Sequence, residues 1–220
     1  MPPLLAVLLL LSWPQPVSAR DYGQPVAYGG LQLGIFTGDS STPFGVAHPF
    51  DDATSVTVAG ETHPAGELEA QLALNLGWRL DAHWAAEGDV TAVQRSFLVH
   101  FPGNATDQGP AHLTVLGLDV GGRYVRPVRA WEPYVGAGLG YYDANLLVNG
   151  ATLGVPGEAT LAAGEGLGGY GMLGLDYVLS PGLSVGAQER WIVLSLPLRH
   201  LEGSANLGGR LETLTVTMYQ

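Results

Sequence analysis

The chain has 220 residues, of which 46% are hydrophobic and only 13% are charged, and its formal net charge is −11. Soluble domains contain about 25% charged residues, so a soluble fold of this size would have few charges with which to cover its surface. The acidic balance argues against a nucleic-acid partner, because phosphate binding needs a basic surface. The absence of cysteine excludes disulfides, thiolate metal sites and cysteine nucleophiles.

Residues 1–19 have the pattern of a secretory signal peptide. A short apolar run, Leu4 to Leu11, is followed by small residues that end at Ala19, as at a signal-peptidase cleavage site. The run is shorter than the roughly 20 residues that a membrane-spanning helix needs. We therefore predict that the chain is exported through a cleaved signal peptide and that residues 20–220 form one domain.

The body of the chain alternates between apolar and polar residues with a period of two. In residues 67–79, Leu72 and Leu74 fall on one face, and Gln71 and Asn75 fall on the other, which is typical of a strand with one apolar face. The same pattern predicts eight strands, at 27–37, 67–79, 84–93, 113–125, 134–144, 164–179, 183–193 and 207–219.

The connections between these strands alternate in length. Short turns are predicted at 80–83, 126–132 and 180–182, and long loops at 38–66, 96–112, 145–163 and 194–206. Outer-membrane barrels combine short periplasmic turns with longer external loops, and their strand number is even and at least eight. No stretch after residue 20 is apolar for long enough to form a spanning helix, so a membrane protein of this sequence must be a closed barrel. The predicted fold is all-β, an eight-stranded antiparallel up-and-down transmembrane β-barrel.

The apolar face of this barrel is predicted to contact lipid, because charge is scarce and because aromatic residues cluster near the strand ends. Aromatic residues form girdles at both membrane interfaces of such barrels. The predicted girdle residues are Trp78, Trp84, Tyr124, Trp131, Tyr134 and Tyr177 near the short turns, and Phe97, Tyr141 and Trp191 near the long loops.

The polar face is then predicted to line a narrow interior that side chains fill. Charges of both signs on this face predict an internal network of ion pairs, since a buried charge without a partner is costly. The predicted interior network consists of Arg79, Glu87, Asp89, Asp119, Arg123, Asp176, Gln188 and Arg190.

Two segments resemble hairpins of small OmpA/OmpX-type outer-membrane β-barrel proteins. The first runs from Arg123-Tyr124-Val125-Arg126 through Trp131-Glu132-Pro133-Tyr134-Val135-Gly136 to Tyr141, and the second runs from Gly174 through Ser180-Pro181-Gly182 to Gly186. The resemblance extends weakly over residues 26–220 and implies architecture rather than catalysis. Members of that family usually end on an aromatic residue that resembles a signal for the barrel-insertion machinery, whereas Tyr219 here precedes a final Gln220.

For function, the sequence predicts a monomeric outer-membrane protein with a structural or surface-interaction role, in contact with outer-membrane lipids and lipopolysaccharide. The alternatives are a narrow pore or carrier for small solutes, and a lipid A-modifying hydrolase that would use His200, Ser204 and Glu212. We predict no enzymatic activity, because the serine and histidine are four residues apart in a predicted loop. No cofactor is predicted either: the G-x-G-x-x-G pattern at 166–171 lacks the helix that a dinucleotide site requires.

Overall fold

The computed structural model describes residues 24–38, 46–47, 56–57, 69–100, 108–149, 158–197 and 204–220. Eight long strands and four short ones account for the regular structure in these ranges. The long strands are β1 (Val26–Gly38), β4 (Glu69–Arg79), β5 (Trp84–His100), β6 (Gln108–Val125), β7 (Trp131–Asn149), β8 (Glu158–Ser180), β9 (Leu183–Val193) and β12 (Gly209–Tyr219). The short strands are β2 (Val46–Ala47), β3 (Val56–Thr57), β10 (Ser195–Pro197) and β11 (Ser204–Asn206). The segment 1–19 lies outside the described residues.

The eight long strands form one closed antiparallel ring. Their order is β5–β4–β1–β12–β9–β8–β7–β6, and β6 pairs back with β5. The first and last strands pair along their length, from Tyr28 opposite Tyr219 to Gly38 opposite Gly209. Closure leaves no open sheet edge, so the backbone groups of the ring are hydrogen-bonded without water, as a spanning sheet requires. The predicted eight-stranded antiparallel barrel is confirmed.

Apolar side chains of the ring point outward and polar ones inward. On β12, Leu214 is 70% exposed and Met218 is 63% exposed, whereas Thr215 and Thr217 between them are buried. A soluble barrel has the opposite arrangement, because it buries its apolar face. In the described ranges there is no helix with the length and apolarity that spanning a membrane would require.

The alternation of apolar and polar residues reverses its phase near the long-loop end of the barrel. There the apolar side chains point inward and the polar ones point outward. On β6, Leu116 and Leu118 are exposed on the outer face, but Leu113 and Val115, closer to the long-loop end, are buried inside. The neighbouring β7 shows the same change, because Asp143 is exposed on its outer face. The outside therefore becomes polar and the inside apolar beyond the lipid-facing belt.

This reversal explains where the predicted loops were wrong. The segments 96–112 and 145–163 were predicted to be loops, but β5 continues to His100 and β7 continues to Asn149. The strands continue beyond the point where their outward residues cease to be apolar. A strand prediction based on outward apolar residues therefore ends each strand too early. The predicted loop 194–206 likewise contains β10 and β11, which pair with each other.

The short connections agree with the prediction. The strands of the pairs β4–β5, β6–β7 and β8–β9 are joined by residues 80–83, 126–130 and 181–182. All three turns lie at the same end of the ring, opposite to the long connections. The extended strands and the apolar interior therefore belong to the long-loop end.

Candidate functional site

The barrel interior contains a set of buried charged residues from the spanning strands. Because side chains alternate between the two faces of a strand, Glu87 and Asp89 of β5 both lie on the inner face, and so do Asp119 and Arg123 of β6. All eight residues of the predicted interior network are buried: Arg79, Glu87, Asp89, Asp119, Arg123, Asp176, Gln188 and Arg190.

Arg190 of β9 forms the centre of one cluster. Its guanidinium nitrogens lie 2.8 Å from Oδ2 of Asp89 and 3.2 Å from Oδ2 of Asp119. The hydroxyl of Tyr142 donates a hydrogen bond of 2.6 Å to Oδ1 of Asp119. The guanidinium also stacks over the ring of Tyr170, 4.3 Å from its centroid. Arg190 therefore has both the charge compensation and the aromatic contact that a buried cation needs.

Arg123 of β6 forms the centre of a second cluster, closer to the short turns. Its Nε lies 3.5 Å from Oε2 of Glu87, and its Nη1 lies 3.7 Å from Oδ2 of Asp176. The guanidinium carbon is 5.1 Å from the ring centroid of Tyr28 and 4.7 Å from that of Tyr134. The hydroxyl of Tyr28 donates to Oε2 of Glu87 over 3.1 Å.

The position of Tyr134 corrects one girdle prediction. Its side chain is only 4% exposed and lies inside the barrel, where its hydroxyl donates to Oε1 of Gln188 over 3.1 Å. Val135 is exposed to lipid, so strand parity requires its neighbour Tyr134 to point inward. The prediction relied on closeness to the strand end and ignored this parity.

A third arginine closes the short-turn end of the interior. Arg79 donates hydrogen bonds to the carbonyl oxygens of Asp81 and Ala82, over 2.9 Å and 2.6 Å. Its Nη1 also lies 3.6 Å from Oε2 of Glu132. Glu132 was not predicted to belong to the network, although on β7 it shares the parity of Gly136 and Gly138 on the polar face.

Uncharged polar groups connect the clusters. The Nδ2 of Asn75 donates to Oδ1 of Asp89 over 2.7 Å, and the Nε2 of Gln188 donates to Oε1 of Gln32 over 3.3 Å. Asn75 was predicted to lie on the polar face of its strand, but neither Asn75 nor Gln32 was included in the predicted network, which was chosen mainly by charge. Among the described residues, four buried arginines stand against five buried carboxylates, so the interior charges nearly balance.

Glycines on the inner face make room for the tyrosine rings. A Cβ atom on Gly138 would lie 2.6 Å from ring carbon Cζ of Tyr170, and one on Gly117 would lie 2.8 Å from Cε1 of Tyr142. Both distances are far below an ordinary carbon contact. The glycine-rich inner face of β7 is therefore a packing requirement of the filled bore.

The interior beyond the ionic clusters, toward the long loops, is mainly apolar, although the buried Arg95 lies there with its guanidinium carbon 5.5 Å from the ring centroid of Phe36. Leu113, Leu146 and Leu211 are fully buried there, and β10 and β11 add the buried side chains Leu196 and Ala205. A cavity of about 20 Å³ remains in this region. Such a volume holds at most one water molecule. The apolar end is thus a packed core that the sequence analysis interpreted as external loop.

Most of the other predicted girdle residues face outward. Trp78, Trp84, Tyr124, Tyr141 and Trp191 are exposed on the outer surface. Trp131 and Tyr177 are partly buried against each other, with ring centroids 4.7 Å apart. The side chain of Phe97 lies outside the described residues.

The hydrolase alternative rests on a triad of which only the carboxylate is described. Glu212 is exposed on the outer face of β12, and its Oε1 lies 2.9 Å from Arg210. His200 and the side chain of Ser204 lie outside the described residues. The described carboxylate is therefore already paired with an arginine on the outer surface.

Comparison with known proteins agrees with this architecture. The sequence profile described as "Outer membrane protein beta-barrel domain" matches residues 4–193. The chain belongs to this outer-membrane β-barrel family. The resemblance to small OmpA/OmpX-type barrels is thereby confirmed.

Solved structures of outer-membrane barrels share the fold. OprG from Pseudomonas aeruginosa is 13% identical with a TM-score of 0.60, and the match covers 93% of this chain and 99% of that one. Neisserial surface protein A is 11% identical with a TM-score of 0.52, covering 88% and 96% of the two chains. At such identities the likeness shows the fold alone. A search of curated proteins finds no significant match.

Proposed function

We propose that this outer-membrane barrel is a closed, non-conducting protein with a structural or surface-contact role. The observation that carries the proposal is the ion pair between Arg190 and Asp89. These residues lie on β9 and β5, which are four strands apart in a ring of eight and so face each other across the bore. A salt bridge at 2.8 Å between opposite walls sets charged side chains across the middle of the bore, which supports an occluded interior.

Two further features support an occluded bore. Arg123 joins β6 to β5 and β8 through Glu87 and Asp176, one layer closer to the short turns. On the other side of the Arg190 cluster, the apolar end of the interior is packed around a cavity of about 20 Å³. A permeant solute would have to displace both paired charges and a packed core.

Conductance in planar lipid bilayers tests this proposal. The full-length mature protein is expected to give a current indistinguishable from that of lipid alone. The double variant Arg123→Ser, Arg190→Ser removes both central cations and is expected to admit water and ions. The matched control Arg210→Ser removes an outward arginine and is expected to stay silent. Discrete channel steps from the unaltered protein would overturn the proposal and favour the pore.

The remaining parts of the proposal concern export and surroundings. We infer that residues 1–19 direct export and are removed, and that the barrel-insertion machinery places the chain in the bacterial outer membrane. We further infer that the inserted protein is a monomer that contacts lipopolysaccharide and has no enzymatic activity. The N-terminal sequence of protein isolated from outer membranes tests cleavage, with Arg20 expected first. If the unaltered protein changes the mass of lipid A and the Ser204→Ala variant does not, the inference that the protein has no enzymatic activity is wrong.

A further inference from the structure

The turn between β6 and β7 contains a strained arginine. The backbone N–H of Val128 donates to the carbonyl of Trp131 over 2.7 Å, and the N–H of Trp131 donates back over 3.0 Å, so Arg129 and Ala130 are the two central residues. Arg129 has a φ of 58°, and among the described residues it is the one non-glycine residue with a positive φ. A positive φ at the first central residue alone is the pattern of a type II′ turn, where glycine is preferred.

The surrounding structure holds this turn in place. The N–H of Val125 donates to the carbonyl of His83 in the neighbouring turn over 2.7 Å. On the other side, the N–H of Val178 donates to the carbonyl of Ala130 over 2.8 Å. The turn therefore cannot relax away from the strained geometry, and the chain keeps an arginine where glycine would fit best. Observed backbone strain of this kind points to a use for the side chain.

Arg126 and Arg129, called here the arginine pair, lie just beyond the aromatic girdle. Arg126 follows Tyr124 by two residues on the outer face, and Arg129 precedes Trp131 by two; both arginines are exposed. Tyr124 packs against Trp84 with centroids 5.2 Å apart. Aromatic rings mark the membrane interface, and arginine side chains near it extend toward the headgroups. This placement is the one expected for arginines that reach the lipid phosphates at the short-turn end.

The charges around the arginine pair are already engaged. The carboxylate of Asp81 in the adjacent turn accepts hydrogen bonds from the N–H groups of His83 and Trp84. Neither arginine of the pair forms an ion pair with a described residue. By contrast, the outward Arg210 near the opposite end is bound by Glu212. In a chain of net charge −11, two exposed cations without a carboxylate partner among the described residues stand out.

From this placement we propose that the arginine pair binds the phosphate groups of anionic phospholipids in the periplasmic leaflet. The proposal rests on the outer-membrane location of the chain, in which the short turns face the periplasm. A guanidinium presents a planar fork that matches two phosphate oxygens, which an ammonium group does not. The strained turn exposes one such fork two residues before Trp131, and Arg126 supplies the second.

Brominated lipids test the proposal with the full-length mature protein. Reconstitution is carried out in phosphatidylcholine vesicles that contain one fifth phosphatidylglycerol, with the bromine on one lipid or on the other. Quenching of the interfacial tryptophans then reports the preference for the anionic lipid. A basic residue near a membrane surface contributes roughly a fivefold preference. The double variant Arg126→Gln, Arg129→Gln is expected to lose most of the preference, and the control Arg210→Gln is expected to keep it.

Two single variants separate charge from strain. Arg129→Lys keeps the charge and the strained backbone but lacks the planar fork, so its preference is expected to fall below that of the unaltered protein. Arg129→Gly removes the charge and relieves the strain, so the preference is expected to fall while the urea midpoint in pure phosphatidylcholine rises. A double variant with undiminished preference would overturn the proposal. The proposal would also be overturned if the unaltered protein co-sedimented with isolated peptidoglycan, the double variant did not, and the two proteins had the same lipid preference. Failure of the unaltered protein to insert even into pure phosphatidylcholine would instead contradict the proposed barrel function.

Discussion

At the scale of single residues, Arg190 shows why the interior charges depend on one another. Its guanidinium is 1% exposed and is shared by Asp89 and Asp119. Because the two carboxylates come from β5 and β6, the arginine both neutralises them and ties β9 to the facing wall. Removing one member of a buried ion pair costs more than the pair itself contributes, since the remaining charges stay buried without compensation.

We therefore expect Arg190→Ala to lower the free energy of unfolding by about 3–5 kcal/mol. Urea titration of the protein folded into vesicles measures this loss. Arg210→Ala is the matched control: Arg210 pairs with Glu189 and Glu212, but its side chain is 48% exposed. Its loss should be about 0–1 kcal/mol. Equal effects of the two substitutions would show that the interior pairs do not stabilise the barrel.

Asp81 provides a pH-dependent prediction outside the membrane. Its Oδ1 accepts hydrogen bonds from the N–H groups of His83 at 2.6 Å and Trp84 at 2.8 Å. These backbone donors hold the pKa of Asp81 below its usual value. A lowered folded pKa contributes stability that is present above the unfolded pKa and is lost as the pH falls through the folded pKa.

The variant Asp81→Asn keeps the hydrogen-bond acceptor but loses the charge. We expect it to unfold at lower urea than the unaltered protein at neutral pH, and the difference to shrink as the pH falls below the usual aspartate pKa and through the lower folded pKa. Urea midpoints of both proteins across this range provide the measurement. A difference that stays constant with pH would assign the effect to turn geometry and not to the carboxylate charge.

At the scale of elements, the reversal of phase divides strands such as β6 and β7 into two environments. On β7, Leu139 is 67% exposed on the outer face, whereas Leu146, seven residues further along, is completely buried. Seven is odd, so the two leucines point to opposite faces of the strand. One contacts lipid and the other contacts the packed interior, although both would be counted simply as apolar strand residues.

The same substitution at the two positions should therefore have different consequences. Leu146→Ala leaves a cavity that a packed interior cannot fill, which costs about 2–5 kcal/mol. Leu139→Ala should cost clearly less, because acyl chains are fluid and fill the space that the smaller side chain leaves. Urea midpoints in vesicles compare the two variants. Similar losses would mean that the apolar end is not packed as a core.

Period two was sufficient to predict the barrel, the number of long strands and eight buried polar residues of the interior, although it did not assign the buried Glu132 and Arg95. It was sufficient because lipid imposes the same outward requirement on every strand along the whole belt. The prediction failed for Tyr134, where closeness to a strand end was given more weight than parity. It failed again beyond the belt, where Leu146 lies in a segment predicted to be a loop. The contacts between Arg190 and Asp89 could not be predicted, because they depend on which strands face each other in the ring.

At the scale of the whole molecule, the belt between the two girdles sets the thickness of the membrane that the barrel fits. On β7 the belt runs from Trp131 to Tyr141, a separation of ten residues. With a rise of about 3.3 Å per residue and a strand tilt of about 40°, this corresponds to roughly 25 Å along the barrel axis. Outer-membrane barrels have an apolar band of about this height.

The stability of the folded barrel should therefore depend on bilayer thickness. In phosphatidylcholine vesicles of increasing acyl-chain length, we expect the urea midpoint to be highest where the hydrocarbon core is about 25 Å thick and to fall in thicker bilayers, at a cost of fractions of a kcal/mol per Å. Leu139→Ala should keep the same optimum, because it leaves both girdles intact. A Trp131→Ala, Tyr177→Ala variant should flatten the dependence, since it removes an aromatic pair that fixes one edge of the belt. A midpoint that rises steadily with thickness would contradict the assignment of Trp131 and Tyr141 to the two interfaces.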